Sequence, residues 1–208
     1  MNQRHPIEHE LRHAAAALGS EPPKIAELAA AAGLLDVAYA RLDSPLGPLL
    51  LAATPAGLVR IAYVDGGEEA AVLASLAARV SPRVLAAPRK LDQPRRELDE
   101  YFEGRRRSFD FALDWGLTGD FARRVLTATA AIPYGSVRSY REVAELAGSP
   151  RGSRAAGNAL GSNPLPIVVP CHRVLRSSGA LGGYTGGVER KQTLLAIERG
   201  QLPLGPSG

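Results

Sequence analysis

The sequence predicts an α+β fold in two parts. A small antiparallel sheet with helices occupies residues 37–116, and a helical part with a helix-turn-helix occupies 117–208. A helical extension, 1–36, precedes both. Three observations predict this. Short apolar runs broken by Pro/Gly turns between 37 and 64 are hairpin patterning. Beyond Gly119, apolar residues recur at three- and four-residue spacing, with helix stops between them. Charge divides at the same place: residues 1–116 carry 14 Lys+Arg against 16 Asp+Glu, and 117–208 carry 11 against 5. A net of −2 thus faces a net of +6, and a basic half suits a polyanion partner.

Taken in order, Ile7, Leu11, Ala14, Ala15 and Leu18 share one helical face, and Ile25, Leu28, Ala29, Ala32 and Leu35 share another. Pro22 and Pro23 part them. His5, His9 and His13 recur every four residues, but no thiol or carboxylate converges on them, so a solvated face is the reading. Residues 39–42, 49–53 and 58–64 are strand-like, with a turn at Thr54-Pro55-Ala56-Gly57. Residues 68–80 and 91–102 read as helices. Phe109, Phe111 and Leu113 alternate with Asp110 and Ala112, which suggests a returning strand.

In the second part, 120–131 reads as a helix stopped by Ile132-Pro133-Tyr134-Gly135. Ser139 is placed to cap a helix over 140–147. After a Gly148-Ser149-Pro150 turn, 153–160 forms a further helix, and the pair reads as a helix-turn-helix. Its second helix carries Arg154 and then the small residues Ala155, Ala156 and Gly157. Few long polar side chains are left to read base edges. A small-residue face lies close against a protein neighbour or against the minor groove, with Arg154 as the single long probe. The basic balance favours DNA.

Cys171 is the only cysteine of 208 residues, which excludes an internal disulfide and any multi-cysteine zinc site. No metal or cofactor is expected. No apolar run approaches the roughly 20 residues that span a bilayer, and the polar start lacks a signal-peptide core. A cytoplasmic protein without a membrane partner is expected. Pro164, Pro166 and Pro170 stiffen the approach to Cys171, and Ile167, Val168 and Val169 suit a short buried strand. His172 follows the thiol, and Glu198 lies in a closing helix over 191–199. Thiol, imidazole and carboxylate form an activated-nucleophile set. Such a set is expected to lower the thiol pKa from about 8.5.

The motif Pro170-Cys171-His172-Arg173-Val174 resembles the active-site segment of the O6-alkylguanine-DNA alkyltransferases, the methylated-DNA–protein-cysteine methyltransferases. Residues 132–135, Ser139-Tyr140, 154–157, Asn163-Pro164, 183–187 and 194–198 resemble family segments in family order, and Asp43–Gly47 resembles the family's N-terminal part. The resemblance implies irreversible, one-for-one transfer of an alkyl group from guanine O6 in duplex DNA to Cys171. O4-alkylthymine is a second candidate lesion. The implied roles are a base-stack plug for Arg154, and phosphate rotation and proton donation for Tyr140. Asn163 is implied as a hinge, and His172 with Glu198 as a water-linked relay. Val174, Tyr184, Thr185 and also Asn163 are implied at the alkylguanine pocket, with Thr185 where serine is common. The implied protein is a monomer. A lesion-flagging relative without transfer activity, a thiol hydrolase and a transcription factor are the alternatives. Cys171 counts against the first, Arg154 against the second and the small-residue helix against the third.

Overall fold

Alternating apolar residues between 37 and 63 form three strands. In the computed structural model, residues 28–29 and 32–201 are described; most of the predicted extension, with His5, His9 and His13, lies outside them. Strands β1 (Val37–Leu42), β2 (Leu49–Thr54) and β3 (Gly57–Tyr63) pair antiparallel in sequence order. The short β4 (Val84–Ala86) adds to the free edge of β1 in parallel, so the sheet order is β3-β2-β1-β4 and the sheet is mixed. The crossover between β1 and β4 contains helix α1 (Glu69–Arg79), long enough to return the chain to the same end of the sheet.

Side chains alternate across the pleat. Leu50, Ala52, Val59 and Ala62 turn to one face and pack with Leu76 of α1. Leu49, Leu51, Leu58 and Ile61 turn to the other and join the larger core. That core includes Leu98 and Tyr101 of helix α2 (Asp92–Phe102), Val125 and Leu126 of helix α3 (Asp120–Ala130), and Cys171. The two parts therefore share one hydrophobic interior.

The outer edge of β3 is covered. Leu58 N donates to Ala112 O at 2.9 Å, Asp114 N donates to Leu58 O at 2.8 Å, and Ile61 N donates to Pro164 O at 2.8 Å. Gly57 makes the first approach possible, since a Cβ there would lie 2.4 Å from Ala112 O. The last bond ties the sheet to the segment that leads to the cysteine. The expected strand over 109–113 is reduced to one bridge, Leu58 to Leu113. Phe109 instead packs against Tyr101 and Phe111, with ring centroids 5.6 and 5.5 Å apart, so aromatic packing replaces a ladder there.

Helix α4 (Tyr140–Leu146) begins at a capping box: Glu142 N donates to Ser139 Oγ at 3.2 Å, and Ser139 N donates to Glu142 Oε2 at 2.7 Å. Helix α5 (Ser153–Gly161) follows after a tight turn that places Gly148 at φ +76°. Strand β5 (Arg138–Ser139), just before α4, pairs in parallel with β6 (Val174–Leu175), just after the cysteine. Helix α6 (Val188–Glu198) closes the structure. Among the described residues no helix is long and apolar enough to cross a membrane.

Candidate active site

The approach to Cys171 is not the predicted strand. Ile167 adopts φ +76°, and residues 164–169 form turns. Alternating prolines prevent a continuous ladder by removing donors at 164, 166 and 170. Leu165, Ile167 and Val169 are still fully buried, so the apolar pattern serves packing. The segment is pinned by Asn163, itself buried. Leu165 N donates to its Oδ1 at 3.0 Å, while its Nδ2 donates to Val169 O at 2.9 Å and to Cys171 Sγ at 3.2 Å.

Cys171 opens a 3-10 turn, Cys171–Arg173, and is buried. Behind it lies a hub of charge. Glu198 Oε1 accepts from Tyr101 Oη at 2.8 Å, from His172 Nε2 at 2.8 Å and from Arg173 Nη2 at 2.8 Å. Its Oε2 accepts from Arg173 Nε and Gly135 N, each at 3.0 Å. Burial acts to raise the Glu198 pKa, but the bonds from His172 and Arg173 outweigh it and hold the carboxyl at about 2. Burial pushes the His172 pKa down against the pull of Glu198, so the imidazole is neutral. Beside a carboxylate, Nε2 carries the proton and Nδ1 presents its lone pair. Nδ1 is buried and has no hydrogen-bond partner.

The thiol differs from expectation. Burial pushes the Cys171 pKa up to about 11; the Asn163 amide, the Lys191 charge and two backbone N–H groups oppose this only in part. The resting protein holds a neutral thiol, because desolvation outweighs its partners.

In front of Cys171 lies a cavity of about 750 Å³. Tyr140, Arg154 and Gly157 of the helix-turn-helix line one side, and Gly183, Tyr184 and Thr185 line the other. Arg154 is exposed on that lining, and Ala155 beside it in sequence is exposed too. Tyr140 packs near Gly157 and Gly182, and its Oη donates weakly to Gly183 O at 3.4 Å. Burial and the nearby thiol raise the Tyr140 pKa, so it keeps its proton. Thr185 Oγ1 donates to Gly161 O at 3.2 Å. Tyr184 Oη and Tyr63 Oη share a hydrogen bond of 2.9 Å, which reaches the wall from the sheet.

Three sequence-predicted positions face elsewhere. Asn163 is buried and does not line the cavity; it meets the thiol directly. Ala156 is fully buried, because the small-residue face of α5 is also its packing face. Val174 is fully buried in β6 and does not line the cavity. Sequence reasoning missed Arg173, Tyr101, Tyr63 and Lys191. The pentapeptide already contained Arg173, but nothing local marks an arginine as buried.

Fold and site together place a buried thiol at a cavity that a helix-turn-helix borders. Comparison with known proteins makes this specific. Residues 37–115 match the 6-O-methylguanine DNA methyltransferase, ribonuclease-like domain, and 120–200 match the 6-O-methylguanine DNA methyltransferase, DNA binding domain. A methylated-DNA–protein-cysteine methyltransferase of Mycolicibacterium paratuberculosis is 44% identical over 168 residues, covering 80% of this chain and 95% of that protein. The human protein of the same name is 40% identical, covering 77% and 80%. The crystal structure of Mycobacterium tuberculosis OGT in complex with DNA superposes with a TM-score of 0.68 at 38% identity, covering 80% of this chain and 95% of that one. The chain belongs to the O6-alkylguanine-DNA alkyltransferase family, and its activity is direct, single-use transfer of a methyl group from O6-alkylguanine to a cysteine in DNA repair.

Proposed function

We propose that Cys171 is the alkyl acceptor and that the lesion reaches it by base flipping from duplex DNA. The observation that carries this reading is the placement of the only cysteine in the cavity that Arg154 and Tyr140 border. Residues 37–116 support, and 117–208 bind DNA and accept the alkyl group. Arg154 fills the vacated place in the stack from the minor groove, with Ala155 and Gly157 allowing close approach. Ala156 supports that face from inside the core. Asn163 couples α5 to the acceptor segment through its bonds to Val169 O and Sγ.

The transfer balances as follows. His172 Nδ1 takes the thiol proton, through a water that its unpartnered, buried lone pair suits. The sulfur forms a bond to the alkyl carbon as the carbon–O6 bond breaks. Tyr140 Oη gives a proton to the departing guanine, and solvent returns the His172 proton to the tyrosine. Glu198 and Arg173 hold the imidazole throughout. Tyr184 and Thr185 close over the base. The product is a thioether, so each molecule acts once. A thiol that must stay reduced fits the cytoplasm, and a thiol whose cavity is lined by residues of one chain suits a monomer.

Incubation with a duplex carrying O6-methylguanine, read by intact-protein mass, tests the reading. The expected result is a gain of one methyl group that vanishes in Cys171→Ala. Repeated turnover by limiting protein, or a gain that survives in the variant, overturns it.

A further inference from the structure

The strand that leaves the cysteine turn delivers a cation that the transfer steps leave unused. Strands β5 and β6 pair in parallel, with Arg138 against Val174 and Ser139 against Leu175. One step further in the same register, Tyr140 stands against Arg176. The backbone of Arg176 is held on both sides. β6 fixes it from before, and a tight turn closes after it: Arg176 N donates to Ala180 O at 2.8 Å, and Gly179 N donates to Arg176 O at 2.8 Å. Gly179, at φ +83°, permits that turn. Arg176 and Tyr140 both line the cavity that holds Cys171.

Neighbouring cations are already engaged. Arg138 pairs with Glu142 at 3.0 Å, and Arg173 with Glu198 at 2.8 Å. Arg176 is exposed, and among the described residues its guanidinium makes no ion pair or hydrogen bond. Tyr140 shares the cavity with Cys171, Arg154 and Tyr184, and its Oη meets Gly183 O, which Lys191 Nζ also reaches at 3.3 Å. Glu142, on the same helix as Tyr140, is turned to Arg138 and Ser139. Burial and the thiol disfavour a phenolate at Tyr140, and the Arg176 charge opposes them. In the transfer, Tyr140 must bear negative charge after its proton leaves and before solvent replaces it. A cation fixed beforehand where charge develops lowers the cost of that moment.

We propose that Arg176 is a positioning residue for the proton transfer: from its place beside Tyr140 on the cavity wall, its guanidinium stabilises the phenolate that forms as Tyr140 Oη gives its proton to the departing guanine. Arg176 keeps its own protons throughout, since arginine is not deprotonated in proteins. The inference rests on Tyr140 being the proton donor and Cys171 the alkyl acceptor.

The test places a ring-fluorinated tyrosine, whose phenol is more acidic, at position 140 of full-length wild type, Arg176→Met and Arg176→Lys. Fluorine NMR follows its titration, and single-turnover methyl transfer is measured on the unlabelled proteins with duplex and with free O6-methylguanine. Arg176→Met is expected to raise the phenol pKa by about half a unit or more and to slow transfer by about three-fold or more on both substrates. Arg176→Lys keeps the charge and is expected to recover most of both losses. A fluorine titration in Arg176→Met that matches wild type overturns the proposal. A loss confined to the duplex also overturns it, because Arg176 then serves a phosphate and not the tyrosine. The titration reads Tyr140 whether or not DNA is repaired. Wild type that titrates as expected yet gains no methyl group therefore defeats the acceptor reading instead.

Discussion

The wall behind Cys171 and the wall in front of it are partnered differently. Behind, one carboxylate gathers Tyr101, Gly135, His172 and Arg173, all within 3.0 Å. In front, Arg154 is exposed, Tyr140 makes only a 3.4 Å contact, and Thr185 reaches a single carbonyl. The difference separates two tasks. On the proposed reading, groups that hold the sulfur and its base are fixed before substrate arrives, which is what preorganised catalysis requires. Groups proposed to meet DNA keep their hydrogen-bonding capacity for it.

The largest effect should follow from breaking the rear wall. Glu198→Gln leaves Arg173 buried without its carboxylate and should cost about 3–5 kcal/mol in denaturant unfolding. The pH dependence has a definite sign. Because the folded-state pKa of Glu198 is lowered from 4.5 to about 2, its contribution is whole above 4.5 and is lost as pH falls toward 2. Wild type and variant should converge in stability over that window. A constant gap across it would mean that the hub is not held by the ionised carboxylate.

The front wall should affect rate and leave stability nearly untouched. Tyr140→Phe should slow single-turnover transfer by about 100-fold if it removes the general acid. An undiminished rate assigns the proton to another donor. Arg154→Ala should slow repair of duplex by about ten-fold, leave reaction with free O6-alkylguanine unchanged, and alter stability by less than about 0.5 kcal/mol. Equal losses on both substrates would remove the stack-filling role. Thr185→Ser keeps the hydroxyl and should change the rate by less than about two-fold; a larger loss would make the threonine methyl part of the pocket.

The same division governs what could be read from the chain. The front wall rests on local signals: Ser139 and Glu142 form a cap, the turn around Gly148 separates two short helices, and Arg154 stands alone among small residues. The rear wall is tertiary. Arg173 and Lys191 look like ordinary surface cations until packing buries them, and Tyr101 finds Glu198 across 97 residues. Beta-branched residues at 167–169 suggest a strand, yet the prolines at 164, 166 and 170 remove donors that a continuous ladder needs and the chain turns at Ile167. The parallel pairing of β4 was equally hidden, because three residues carry too little pattern to declare a partner.

The bond from Tyr101 to Glu198 also sets an order of events. A ribosome makes Tyr101 and the sheet first, then Cys171, and Glu198 only afterwards. Contacts of such separation close late in folding. A nascent or truncated chain can thus expose the cysteine without the carboxylate that orients its base. On the proposed relay, competence for a reaction that each molecule performs once is withheld until both halves of the chain have been made and have met.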